Sequence, residues 1–160
     1  MKTVYLVRHA KASWDDHVFD WERPLTEVGV ERAHKVAKLL KAKKIKPDKI
    51  LSSYAFRALN TAVIFAADLK YPTKDIEIRK EIYEKKAIDI LDMLRKQDDK
   101  HEIIMVFGHD PSITELYNML TRKLLLKLST ASSAGIQFNI KNWKQLGSTA
   151  GKTLFIEPGK

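Results

Sequence analysis

The sequence predicts an α/β fold, a three-layer α/β/α sandwich whose central sheet is mostly parallel with an antiparallel edge. Three observations carry this. Short β-branched apolar runs alternate with longer amphipathic stretches in the order βαβαβαβαββ. The strongest runs, "TVYLV" and "IIMVF", are continuously apolar rather than alternating, as strands covered on both faces are. The last two runs follow one another across a turn-rich segment, which suits an antiparallel pair. With 160 residues, 44% of them hydrophobic, the chain has the material for one domain with a real core, spanning 1–160.

Taken in order, the first strand covers 3–9 and ends in Arg8 and His9. An irregular stretch, 10–23, carries Trp14, Trp21 and several acidic residues. A helix follows with Thr26 as N-cap, Glu27 and Glu31 early and lysines late, the charge order that a helix dipole favours. Its expected buried stripe is Val30, Ala33, Val36, Ala37 and Leu40. Pro47 closes the next loop, and Ile50 and Leu51 form a short strand that runs into serines. The following helix places Ala58, Thr61, Ala62, Phe65 and Leu69 on one stripe, with Arg57 in its first turn. "DIEIR" at 75–79 is a weak strand, and 87–97 a helix expected to bury Ile88, Leu91 and Leu94. "HEIIMVFGH" is a strong strand ending at His109, and Pro111 opens another helix. "SAGIQFNI" and "KTLFIEP" are the final strands, joined by 141–151, where Asn142, Gly147 and Gly151 suit turns.

Composition narrows the function. No cysteine occurs, so thiolate nucleophiles, disulfides and cysteine zinc sites are excluded. No apolar run approaches the roughly 20 residues of a membrane helix, and a cytoplasmic protein is the expectation. The 29 Lys+Arg against 20 Asp+Glu give a net charge of +9, which suits an anionic partner.

Ligand sites of parallel sheets lie beyond the carboxyl ends of the strands. Three polar strand ends therefore meet on one rim: Arg8 with His9, the stretch ending at Arg57, and Gly108 with His109. Two histidines and two arginines so placed are what phosphoryl transfer without a metal requires. A neutral, aimed imidazole attacks phosphorus, while forked guanidinium donors hold the equatorial oxygens as charge spreads over them.

The motifs "LVRHAKASW" at 6–14, "DWERPLTEVG" at 20–29, "ILSSYAFRALNTA" at 50–62, "VFGHDPSI" at 106–113 and "LSTASSAGIQF" at 128–138 together resemble the histidine phosphatase (phosphoglycerate mutase-like) superfamily. The short chain and "RHAKASW…RPLT" are most similar to its SixA-like phosphohistidine phosphatases. Ala10 stands where many relatives carry Gly. The resemblance implies that His9 is the nucleophile and is transiently phosphorylated, that Arg8, Arg57 and His109 are catalytic and bind the phosphoryl group, and that Arg23 binds it as well. It implies no metal and no cofactor. Members that act on alkyl phosphates also carry a carboxylic acid in mid-chain, for which Glu81 and Glu84 are both candidates. An alkoxide leaves poorly without a proton, whereas a phosphohistidine ring carries its own near pH 7. An ambiguous acid thus favours a P–N substrate.

The expectation is a cofactor-independent phosphatase working on a phosphorylated protein (phosphohistidine) through a phospho-His9 intermediate. The alternatives are a phosphatase of small phosphoester metabolites and a non-catalytic module that binds phosphoproteins. Arg23 has a plainer reading as a loop-fixing ion pair with Asp20 or Glu22, and His17, His34 and His101 read as solvated. Trp14 and Trp21 either wall the mouth of the site or anchor its loop. The lysines of 35–49 lack the interleaved aromatics of a nucleic-acid face. They read as the solvated side of a helix, whose field could steer an acidic phosphoprotein toward the pocket.

Overall fold

A computed structural model describes residues 1–160. Six strands form one sheet in the order β3-β2-β4-β1-β5-β6. These are β1 (Lys2–Arg8), β2 (Lys49–Ser52), β3 (Glu77–Ile78), β4 (Ile103–Gly108), β5 (Ser133–Phe138) and β6 (Lys152–Glu157). The pairs β3-β2, β2-β4 and β4-β1 are parallel, and β5 and β6 are antiparallel, as the sequence predicts. The helices are α1 (Glu27–Ala42), α2 (Phe56–Asp68), α3 (Glu81–Glu84), α4 (Ala87–Arg95) and α5 (Ser112–Thr121). None is long and apolar enough to cross a membrane.

Because successive strand residues face opposite sides, each run of apolar residues feeds two cores. Tyr5, Val7, Ile50, Met105 and Phe107 pack against Ala33, Val36 and Leu40 of α1 and Ala62, Phe65 and Ala66 of α2. Val4, Leu6, Leu51, Ile104 and Val106 pack against Ile90 and Leu94 of α4 and Ile113, Leu116 and Leu120 of α5. This is the three-layer arrangement.

The Thr26 hydroxyl caps α1 by accepting from Gly29 N at 3.0 Å. The stripe of α1 differs from expectation: Gly29, Ala33, Val36, Ala37 and Leu40 are buried, while Val30 is 36% exposed. The first turn lies against the segment leaving β1, so closely that a Cβ at position 29 would collide with the Lys11 carbonyl. Glycine there sets the rotation of the helix and turns Val30 outward. In α4 the stripe is Ala87, Ile90, Leu91 and Leu94, and Ile88, one residue (about 100°) round from Ala87, is exposed. The turn-rich 141–151 segment also contributes to the core. Trp143 is fully buried, and its Nε1 donates to the His101 carbonyl at 2.8 Å.

Parallel register aligns three strand ends. Arg8 lies beside Gly108 and Ser52 beside Phe107. His9 N donates to the Gly108 carbonyl at 3.0 Å, and Ser53 N to that of Phe107 at 3.1 Å. A crevice of about 670 Å³, lined by Lys41, Lys44, Lys46 and Lys70, sits before β2, at the opposite end of the strands. The four residues of β2, about 13 Å at the rise of a strand, separate it from this rim.

Candidate active site

His9 directly follows β1 and is 9% exposed. Its Nδ1 lies 2.7 Å from the Ala10 carbonyl, which can only accept, so the proton sits on Nδ1 and Nε2 keeps its lone pair. Thr61 fixes this corner. Its hydroxyl accepts from Ala10 N at 3.0 Å and donates to the Arg57 carbonyl at 2.7 Å, joining the first turn of α2 to the exit of β1. Burial, with smaller contributions from Arg57, Arg8 and Arg23, pushes the His9 pKa down to about 4. The ring is neutral at pH 7.

The His109 ring lies 5.3 Å from that of His9 and bonds through Nε2 to Ser53 Oγ at 2.8 Å. Burial foremost, then the cost of a second positive charge beside Arg57 and a protonated His9, pushes it down to about 3. That burial, with the cations beside it, keeps this ring neutral. A phosphate dianion among them acts in the opposite direction.

Arg8 is held by the Leu128 carbonyl, 2.9 Å from Nη1, with Asp110 at 3.8 Å. Arg57 donates from Nη1 to the Asp20 carbonyl at 2.8 Å and from Nη2 to its carboxylate at 2.9 Å. Arg23 donates from Nε to the Ser13 carbonyl at 2.9 Å and from Nη1 to Asp20 Oδ1 at 3.1 Å. The Arg23 guanidinium also lies over the Trp14 ring at 3.6 Å. Trp21 packs edge-on against Phe56 and Tyr54. Trp14 therefore clamps a site arginine, whereas Trp21 anchors the loop to the start of α2.

Arg8 Nε, Arg57 Nε and His109 Nδ1 are buried without a protein partner. An orphaned buried donor costs about 1–3 kcal/mol. Two of the three, the guanidinium Nε–H groups, can only donate, and with the His109 nitrogen they mark a place built for an acceptor that the protein does not itself supply.

The structure thus brings His9, His109, Arg8, Arg57 and Arg23 to one rim. Arg23 makes the predicted ion pair with Asp20 and still borders the site, through the residue it shares with Arg57. Glu81 pairs with Arg79 at 2.6 Å, which holds its carboxyl below the ordinary range. Glu84 accepts from the Tyr54 hydroxyl at 2.9 Å. Neither is a free acid facing His9. Between them Tyr83 stacks edge-on to His109 at 5.2 Å and donates to Asp20 Oδ2 at 2.5 Å. Tyr83, Asp20, Ser53 and Thr61 were not singled out for the site by their sequence motifs, although "D-x-x-R" at 20–23 is the spacing that lets Asp20 meet Arg23. Of the other histidines, His34 is not simply solvated, since its Nδ1 meets Asp68 at 2.7 Å. No three His, Asp or Glu side chains are grouped to hold a metal ion.

The burial of neutral His9 and His109 makes stability pH-dependent. Their folded pKa values lie below the unfolded value of about 6.5, so below that pH the unfolded chain binds the extra protons. Stability is complete above about 6.5 and falls on acidification toward pH 4, by about 1.4 kcal/mol per pH unit for each ring. Urea unfolding at pH 7, 6 and 5 should show this slope, and His9→Gln should remove about half of it. A slope unchanged in that variant would show that His9 does not bear the burial cost.

A buried neutral imidazole with a free Nε2, set among arginines at the carboxyl rim of a six-stranded sheet, is an arrangement suited to phosphoryl transfer. Comparison with known proteins agrees. The sequence profile described as "Histidine phosphatase superfamily (branch 1)" matches residues 4–87, over half of the chain, and the chain belongs to this superfamily. Membership supports a phosphatase. An uncharacterised chloroplastic protein of Arabidopsis thaliana is 29% identical over 94% of this chain and 72% of its own. In fold, the chain matches the protein histidine phosphatase SixA solved with tungstate (TM-score 0.84, 21% identity, 98% of this chain and 97% of that one). It also matches a mycobacterial glucosyl-3-phosphoglycerate phosphatase (TM-score 0.70, 13% identity, 96% and 97%).

Proposed function

We propose that the protein is a cofactor-independent phosphohistidine phosphatase that works through a phospho-His9 intermediate. The observation that carries this reading is the His9 ring itself. Its Nδ1 proton is donated to the Ala10 carbonyl and its Nε2 lone pair is free, beside buried arginine and histidine nitrogens that lack partners. Nε2 attacks phosphorus in line while Arg8, Arg57, Arg23 and His109 bind the equatorial oxygens. The phosphorylated ring keeps its Nδ1 proton, so water can displace it as a neutral imidazole.

Substrate choice follows from the missing acid. With Glu81 and Glu84 engaged elsewhere, an alkoxide leaving group would forgo roughly 10²–10⁴ of general-acid assistance, whereas a protonated phosphohistidine ring needs none. A phosphorylated protein in the cytoplasm is the partner this reading assigns.

The test compares kcat/KM, in EDTA, for a phosphohistidine peptide and a panel of sugar and alkyl phosphates. A preference of about a hundredfold for the P–N substrate, roughly 2.7 kcal/mol, is expected. The reverse preference would make the protein a phosphoester phosphatase, and no turnover of either class would make it a binding module. Loss of activity in EDTA that zinc restores would overturn the metal-free mechanism.

A further inference from the structure

Asp20 is the unexplained charge of the site. It stands on a single 3-10 turn, Asp20–Glu22, yet Arg57, Arg23 and Tyr83 all donate to its carboxylate. The Tyr83 hydroxyl foremost, with Arg57 and Arg23, holds the carboxyl far below the usual range, so it is always ionised. An ionised carboxylate on the arginines that grip phosphate repels the substrate's own charge, so it needs a reason to be there. It is also unfit to be a proton donor.

Its position suggests the reason. His9 lies on the floor at 9% exposure, whereas the Asp20 side chain is 51% exposed and faces the opening. In-line attack from the floor puts the leaving group on the open side, where Asp20 is. A carboxylate has about four lone-pair positions. Arg57 and Tyr83 occupy those of Oδ2 and Arg23 one of Oδ1, which leaves one on Oδ1. The Tyr83 and Tyr54 rings, 4.9 Å apart, offer π faces beside it, which suit a flat cation.

We propose that the Asp20 carboxylate accepts the free ring N–H of a phosphorylated imidazole and so selects phosphoryl donors whose leaving group arrives protonated. This rests on the phosphohistidine reading and names its specificity residue. The P–N bond of the substrate breaks with its electron pair returning to that ring nitrogen, as the His9 Nε2 lone pair forms the new P–N bond. The substrate ring keeps the proton that Asp20 holds on its other nitrogen and departs as neutral imidazole, not imidazolate. No proton moves in the step. The Ala10 carbonyl does the same for His9 when water later displaces it.

The test uses phosphoimidazole as the P–N substrate and 4-nitrophenyl phosphate, whose leaving group needs no proton. In Asp20→Asn the kcat/KM ratio of the first to the second should fall about tenfold, whatever happens to each rate. The alkaline limb of kcat for phosphoimidazole should also move about one unit lower, because an adjacent opposite charge holds the bound ring's proton. Parallel loss of both substrates with an unmoved limb would leave Asp20 as a brace for the arginines and overturn the proposal. The wild-type enzyme gives a second reading that needs no variant. Its alkaline limb of kcat should lie above the ring pKa of free phosphoimidazole, and coincidence of the two would equally overturn the role. A wild-type enzyme that turns over 4-nitrophenyl phosphate but not phosphoimidazole would instead sink the P–N reading itself.

Discussion

Replacing His9 by Ala should lower hydrolysis by at least about 10⁴, because a covalent route cannot run without its nucleophile. Arg8, Arg23 and Arg57 stay in place, so tungstate or phosphate should still bind, as titration calorimetry would record. The native enzyme should take up acid-labile, base-stable phosphate during turnover, and the variant should not. The neighbouring His109 cannot substitute. Its Nε2 is bonded to Ser53 and its partnerless Nδ1 is buried, so neither nitrogen is aimed as that of His9 is. If His9→Ala keeps its rate, the phospho-His9 mechanism is wrong. The conservative His9→Gln fills the same space and guards against a change caused by the cavity alone.

Arg57→Ala should lower kcat/KM by about 10²–10³, the cost of removing one aimed donor from a developing anionic centre. Two effects combine. The phosphoryl group loses a buried guanidinium, and the loop carrying Asp20 loses two of its anchors, at 2.8 and 2.9 Å. Arg57→Lys separates charge from geometry. An ammonium keeps the positive charge but cannot grip Asp20 with one nitrogen while another faces phosphate. It should therefore remain impaired by at least tenfold, measured as steady-state kcat/KM at fixed ionic strength. Near-native activity in Arg57→Lys would show that charge alone suffices and that the fork is dispensable.

Much of the fold was legible in one sequence because burial has a local period. Continuous apolar runs announced strands covered on both faces, and Thr26 and Pro111 marked helix starts by the backbone groups they satisfy or lack. The misplaced positions, Val30 and Ile88, have a common cause. Periodicity gives the width of an apolar stripe but not its rotation, and in α1 that rotation is set by a contact between Gly29 and Lys11, 18 residues apart. Trp143 was hidden for a related reason, since turn residues around it say nothing of what the loop packs upon.

For the site, the chain by itself determined which groups reach the rim. A parallel sheet carries every strand's carboxyl end to one side, so Arg8, His9, Arg57 and His109 had to gather once the strand order was known. Tertiary structure alone decided their chemical state. The proton of His9 is placed by a carbonyl, the neutrality of His109 by burial among cations, and the charge of Asp20 by Tyr83 and Arg57, 63 and 37 residues away in sequence. Burial, hydrogen bonding and charge act through space over a few ångströms, and no periodicity records which distant residues come that close.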